Sequence, residues 1–133
     1  SREELVNGFI HVNRTLGFVN ASAMMQHIVR HLQGVTVSVA EYQQKREFMF
    51  DNLSEMGYSM VKPQGAFYIF PKSPIEDDVA FVRELQKLKV LTVPGRGFGS
   101  PGYFRIAYCV EDKVLKGSRD GLRQAARKYG LTG

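Results

Sequence analysis

Two glycine turns, each running into a short apolar strand, constrain this chain more than any other feature. The first is Lys62-Pro63-Gln64-Gly65-Ala66-Phe67-Tyr68-Ile69-Phe70-Pro71. The second spans Val90 to Tyr108, with Pro94-Gly95-Arg96-Gly97-Phe98-Gly99 as its turn and Phe104-Arg105-Ile106-Ala107-Tyr108 as its strand. Arg105 sits at the centre of that strand. A guanidinium keeps its charge in proteins, so a site that shields it from water must supply an anion. Arg105 therefore reads as a carboxylate hook, whose planar fork grips two oxygens in a way that lysine does not reproduce. On pattern alone, an arginine in a short strand is more often a surface residue or half of a structural ion pair.

The rest of the chain alternates between helical and extended patterns. Ser1 to His11 reads as a short helix or turn and Thr15 to Val19 as a connector. A helix is expected from Asn20, with Met24, Ile28 and Leu32 on one face, ending at Gly34. A longer one runs from the N-cap Ser38 to Met56, carrying Tyr42, Phe48, Met49 and Leu53 inward, with Gly57 as the terminating residue. Strands are expected at Tyr58–Val61, Ala66–Phe70, Val90–Val93 and Phe104–Tyr108. Ser73-Pro74-Ile75-Glu76 has the form of a capping box before a helix bearing Phe81, Val82, Leu85 and Leu88. Val110 to Tyr129 is the closing helix, with Leu115, Leu122 and Ala126 inward. This order suits an α/β fold of the α+β two-layer kind, a small sheet covered by helices on one face, with an N-terminal helical arm. Residues 1–37 form the helical segment and 38–133 the domain, which includes the long helix.

Composition removes several function classes. The 133 residues allow one domain with an extra arm, burying roughly two-thirds of its unfolded surface. No apolar run approaches the ~18 residues of a membrane span, and no basic stretch followed by an apolar run stands at the N-terminus, so a secretory signal is not expected. A start at Ser1 without Met suggests a processed or excised piece. The net charge of +5 raises a nucleic-acid reading. The basic residues are spread out, however, and Lys116, Arg119, Arg123, Arg127 and Lys128 follow Glu111 and Asp112 in the polarity that a helix dipole prefers. A solvated helix face explains them without a nucleic acid. The single cysteine, Cys109, excludes an internal disulfide and is expected to be a small core residue in a reducing compartment. His27 and His31 share a helix face, but Ile28 stands where a zinc peptidase motif needs Glu, so no metal site is expected. Gly97-x-Gly99-x-x-Gly102 satisfies the dinucleotide pattern but precedes a strand rather than a helix. Its glycines are better read as serving a tight loop.

The order of a Tyr42, Lys45 and Arg46 helix start, Leu53 with Gly57, the Pro-x-Gly-Ala-Phe-Tyr turn, an acidic helix, the Pro-Gly-x-x-Phe-Gly turn and the arginine strand resembles the C-terminal part of fold-type I aminotransferases. These are the pyridoxal-phosphate enzymes of the aspartate aminotransferase group, class I and II. The resemblance covers most of the chain. It implies an enzyme that moves an amino group between an amino acid and a 2-oxo acid, with Arg105 on the substrate α-carboxylate and Gly65 and Phe67 at the pocket edge. It also implies a cytoplasmic homodimer with pyridoxal 5′-phosphate as cofactor, and the long helix would link a cofactor domain to the small domain. One departure stands out. The family's Schiff-base lysine lies in a serine-rich turn upstream, and none of Lys45, Lys62, Lys72, Lys87, Lys89, Lys113, Lys116 or Lys128 has that setting. Catalytic and cofactor-binding residues are thus expected outside this chain, which alone should be inactive. Asn20 and Ser22 fall where the family has a segment near the pocket and dimer interface, but without its proline. Related carbon–sulfur lyases and aminocyclopropane-carboxylate synthases share this architecture. A non-catalytic binding or dimerisation module is the alternative from another class.

Overall fold

A computed structural model describes residues 1–17 and 21–131 of the chain. The expected helix start at Asn20, with its possible place near the pocket, lies outside the described residues. Contacts divide the chain into two compact units, Ser1–Val37 and Ser38–Gly133.

The first unit holds two helices. Helix α1, Arg2–Thr15, is opened by a capping box in which the Ser1 hydroxyl accepts from the Glu4 N–H at 3.3 Å. It continues past His11, the end that the sequence suggested. Helix α2, Ala23–Arg30, has Ser22 as its N-cap, accepting from the Met25 N–H at 3.3 Å. Every described residue of this unit is exposed, including Met24, Met25, Ile28 and Val29.

The second unit contains α3 (Val39–Glu55), β1 (Tyr68–Ile69), α4 (Asp78–Lys87), β2 (Val93–Pro94), β3 (Phe104–Ala107) and α5 (Asp112–Lys128). The sheet order is β1-β3-β2, antiparallel throughout, with Ile69 opposite Ile106 and Val93 opposite Arg105. Period-two alternation along β3 buries Phe104 and Ile106 and leaves Arg105 and Ala107 half-buried on the other face. The buried face joins Met49 and Leu53 of α3, Phe81 and Leu85 of α4 and Leu122 of α5 in one apolar core. The expected α+β sandwich, with helices over one face of a small sheet, is the architecture found.

The strands are shorter than expected because cap geometry uses their ends. Gly57 takes φ +85°, and the Tyr58 N–H returns to the Leu53 carbonyl at 3.0 Å, closing α3 as a Schellman motif. Tyr58 then turns into the core, where its hydroxyl donates to the Leu122 carbonyl at 3.0 Å. Tyr58–Val61 is therefore not a strand, and Ser59 receives a single bond from the Lys72 N–H. The same motif closes α4: Lys89 takes φ +61° and the Val90 N–H binds the Leu85 carbonyl at 2.9 Å. That displaces the expected Val90–Val93 strand to Val93–Pro94. The N-cap of α4 is Asp77, whose carboxylate accepts from the Val79 and Ala80 N–H groups at 3.1 and 3.2 Å. Ser73, expected to cap it, instead accepts weakly from the Ile75 N–H in a preceding turn. Cys109 is exposed rather than buried, because Tyr108 takes the inward position beside it.

Glu84 on α4 ties α4 to α5 by pairing with Lys128, and also pairs with Lys87. Hydrogen bonds from Lys128 and then Lys87 hold its carboxyl at about 2, below the ordinary 4.5. Folding lowers this pKa, so protons favour the unfolded chain. The stabilisation is complete above pH 4.5 and is lost as pH falls through about 2. Thermal unfolding of the parent and of Glu84→Gln should show the variant less stable at pH 7, with the gap closing towards pH 2. An unchanged gap would rule out the pairing as its source.

Candidate functional site

The open face of the sheet carries Arg105, and two aromatic rings enclose its guanidinium. The Tyr68 ring centroid lies 4.2 Å from the Arg105 Cζ and the Phe98 centroid 4.1 Å from it. Tyr68 comes from β1, the strand adjoining β3, and Phe98 from a 3₁₀ turn, Gly95–Phe98, that follows β2. Rings this close to a guanidinium attract it through their π-faces and leave N–H groups at its edge to bind an anion. No carboxylate among the described residues pairs with Arg105.

The turn that supplies Phe98 is fixed at both ends. Asp78, fully buried at the start of α4, accepts from the Arg96 backbone N–H at 2.8 Å and from its Nε at 2.6 Å. Arg96, hydrogen-bonded to Asp78, holds the Asp78 carboxyl below the usual carboxylate range. Arg96 is thus half of a structural ion pair, and Asp77 adds a contact at 3.2 Å. At the other end Gly99 takes φ +72° and Gly102 φ +78°, the conformational reason for these glycines that the sequence suggested. Gly95 has a separate reason: a Cβ there would stand 2.3 Å from the Ser100 carbonyl oxygen and 2.7 Å from that of Tyr103. Gly95→Ala should therefore displace the turn and cost about 1–3 kcal/mol, as overpacking does. Chemical denaturation reads the loss; unchanged stability would contradict this packing.

Gly65 and Phe67 flank Ala66, which takes φ +61°. The Tyr108 hydroxyl reaches from the core to donate to the Ala66 carbonyl at 2.8 Å, and the Tyr108 N–H binds the Phe67 carbonyl at 3.0 Å. Burial raises the Tyr108 phenol pKa, which keeps this O–H a donor. Gly65 and Phe67 are exposed, and the Phe67 ring lies 4.7 Å from that of Tyr68. Phe67 thus joins the Arg105 cluster through Tyr68, while Gly65 shapes the turn beside it. Sequence reasoning missed Tyr68, Phe98 and Asp78; an aromatic residue inside a glycine turn was the available signal for Phe98.

An open groove of about 320 Å³ shares Tyr68 with this cluster and is lined also by Val61, Pro63, Phe70, Ser100 and Tyr103, none of them charged. A separate cavity of about 250 Å³ between α3 and α5 is bordered by Glu41, Lys45, Phe48 and Asp112. Its Lys45 is already 2.7 Å from Glu41 and 3.9 Å from Asp112, so it offers a ligand less free charge than Arg105 does.

Comparison with known proteins gives the family of the chain. The family described as aminotransferase class I and II matches residues 4–118. An aspartate aminotransferase of Pyrococcus abyssi is 38% identical over 99 residues, 69% of this chain and 25% of that protein. Aromatic-amino-acid aminotransferase 2 of Thermococcus litoralis is 36% identical over 109 residues, 77% of this chain and 28% of its own length. An amino transferase from Eubacterium rectale superposes with a TM-score of 0.81 at 36% identity, covering 88% of this chain and 29% of that structure. The chain therefore spans about a quarter of the length of the curated relatives it matches. The chain belongs to the class I and II aminotransferases.

Proposed function

We propose that this chain is the C-terminal part of an enzyme that moves an amino group between an amino acid and a 2-oxo acid, and that Arg105 holds the substrate α-carboxylate. The supporting observation is a half-buried guanidinium with two aromatic rings against it and no acidic partner among the described residues. Left so, it is a charge that an incoming carboxylate completes. Anchoring the carboxylate fixes the substrate's remaining bonds relative to the rest of the site, a positioning contribution to rate. Gly65 and Phe67 border the same region. A cytoplasmic homodimer is the setting that the family resemblance implies.

Class I and II aminotransferases use pyridoxal phosphate, which in the whole enzyme supplies the electron sink. The described residues do not fit that group by themselves. A lysine that forms an imine is made nucleophilic by desolvation or by a nearby cation. Here Lys45 and Lys128 are instead pushed above their ordinary values by hydrogen bonds to Glu41 and Glu84. Lys62 pairs with Glu47 and Lys87 with Glu84, and Lys72, Lys89, Lys113 and Lys116 are exposed. The cofactor's holding groups belong, on this reading, to parts of the protein outside this chain.

The purified chain mixed with pyridoxal phosphate should retain no visible absorbance after desalting and should not transaminate, whereas the whole protein should do both. A band that survives desalting and is fixed by borohydride on one lysine of this chain would overturn that division of labour.

A further inference from the structure

We propose that Tyr68 and Phe98 are the specificity-determining residues of this anion site, a two-sided clamp that restricts Arg105 to planar carboxylates. The inference rests on the reading of Arg105 as a carboxylate anchor and says how that selectivity arises. Ring centroids stand 4.2 and 4.1 Å from the Arg105 Cζ, so two aromatic rings lie against the guanidinium and shield it, leaving anions and water less access beside the rings. What remains is the in-plane edge, where parallel N–H groups match the two coplanar oxygens of a carboxylate. A tetrahedral dianion such as sulfate reaches the same edge only by giving up hydration beside two apolar rings.

The clamp has a fixed side and a side held from a distance. Tyr68 is on β1, and its neighbour Ile69 is fully buried. Phe98 is 47% exposed, and its place depends on the turn that Asp78 pins through Arg96. The Phe70 ring, 6.0 Å from Phe98 at a near-perpendicular angle, supports it from the sheet. Tyr68 and Phe98 thus act through Arg105 rather than on substrate; they are positioning residues. Because Phe98 is so exposed, shortening it should leave the fold intact.

The test uses the isotope-labelled 133-residue chain, with the Arg105 Nε–H signal followed by NMR during titration with acetate or sulfate at constant ionic strength. In the parent, acetate should move this signal at lower concentration than sulfate. Phe98→Leu should weaken acetate binding by about two- to tenfold, the cost of ordering a long side chain that the ring no longer holds in place, and bring the acetate-to-sulfate preference towards unity. Phe98→Tyr should restore both. A preference unchanged in Phe98→Leu, with acetate still binding, would overturn the clamp while leaving Arg105 as the anchor. If acetate does not perturb Arg105 in the parent, the anchor reading fails and the clamp with it.

Discussion

On the proposed function, Arg105→Ala in the whole protein should lower kcat/KM for an amino acid by roughly 30- to several-thousand-fold. The figure follows from losing one partner of a partly desolvated charge pair, about 2–5 kcal/mol, at ~1.4 kcal/mol per decade of rate. Arg105→Lys should fall between Ala and the parent. A lysine keeps the charge but is a point donor, and it lacks the planar group that stacks on aromatic rings such as Tyr68 and Phe98, which lie 4.2 and 4.1 Å from the Arg105 Cζ. Bound pyridoxal phosphate, read by its visible absorbance, should be unaffected in both variants, because Arg105 is assigned to substrate and not to the cofactor phosphate. Loss of the cofactor instead would place Arg105 in the wrong role.

Phe81→Ala should have the largest effect on stability, about 3–5 kcal/mol for a fully buried phenylalanine. Its ring is the hub of the core, with centroids 5.0 Å from Phe104, 5.6 Å from Tyr129 and 6.4 Å from Tyr58. Removing it leaves a cavity bordered by β3, α5 and the start of the Tyr58 segment, elements that cannot all close in together. Phe81→Leu should lose less. At about 4–8 °C per kcal/mol for a domain of this size, Phe81→Ala should melt well over 10 °C below the parent in calorimetry. A shift of only a few degrees would mean that the cavity collapses and that the ring is not central.

Helix α3 was legible from the sequence because both ends carry their own local chemistry, Ser38 as a cap and Gly57 at positive φ. Its ends match to within one residue. The strands were not, since Tyr58 and Val90 look like apolar strand starts yet spend their N–H groups closing α3 and α4. Hydrophobic pattern cannot separate these uses; backbone hydrogen bonding decides between them. At the site, the strand itself was legible, and alternation in Phe104-Arg105-Ile106 puts Arg105 on the face opposite the core. Its two aromatic covers come from segments far apart in the chain, which no local pattern brings together. The same holds for Arg96 and Asp78, eighteen residues apart, whose pairing exists only once α4 and the turn are in place.

On the proposed function, Arg105 reads the substrate α-carboxylate. The deciding measurement is kcat/KM for an amino acid and for its decarboxylated amine, in the parent and in Arg105→Lys and Arg105→Ala. The amine has no group for Arg105 to hold, so its already low rate should be nearly unchanged by either substitution while the amino acid loses its advantage. Equal losses for both substrates would contradict the claim and leave Arg105 as a structural residue of the sheet.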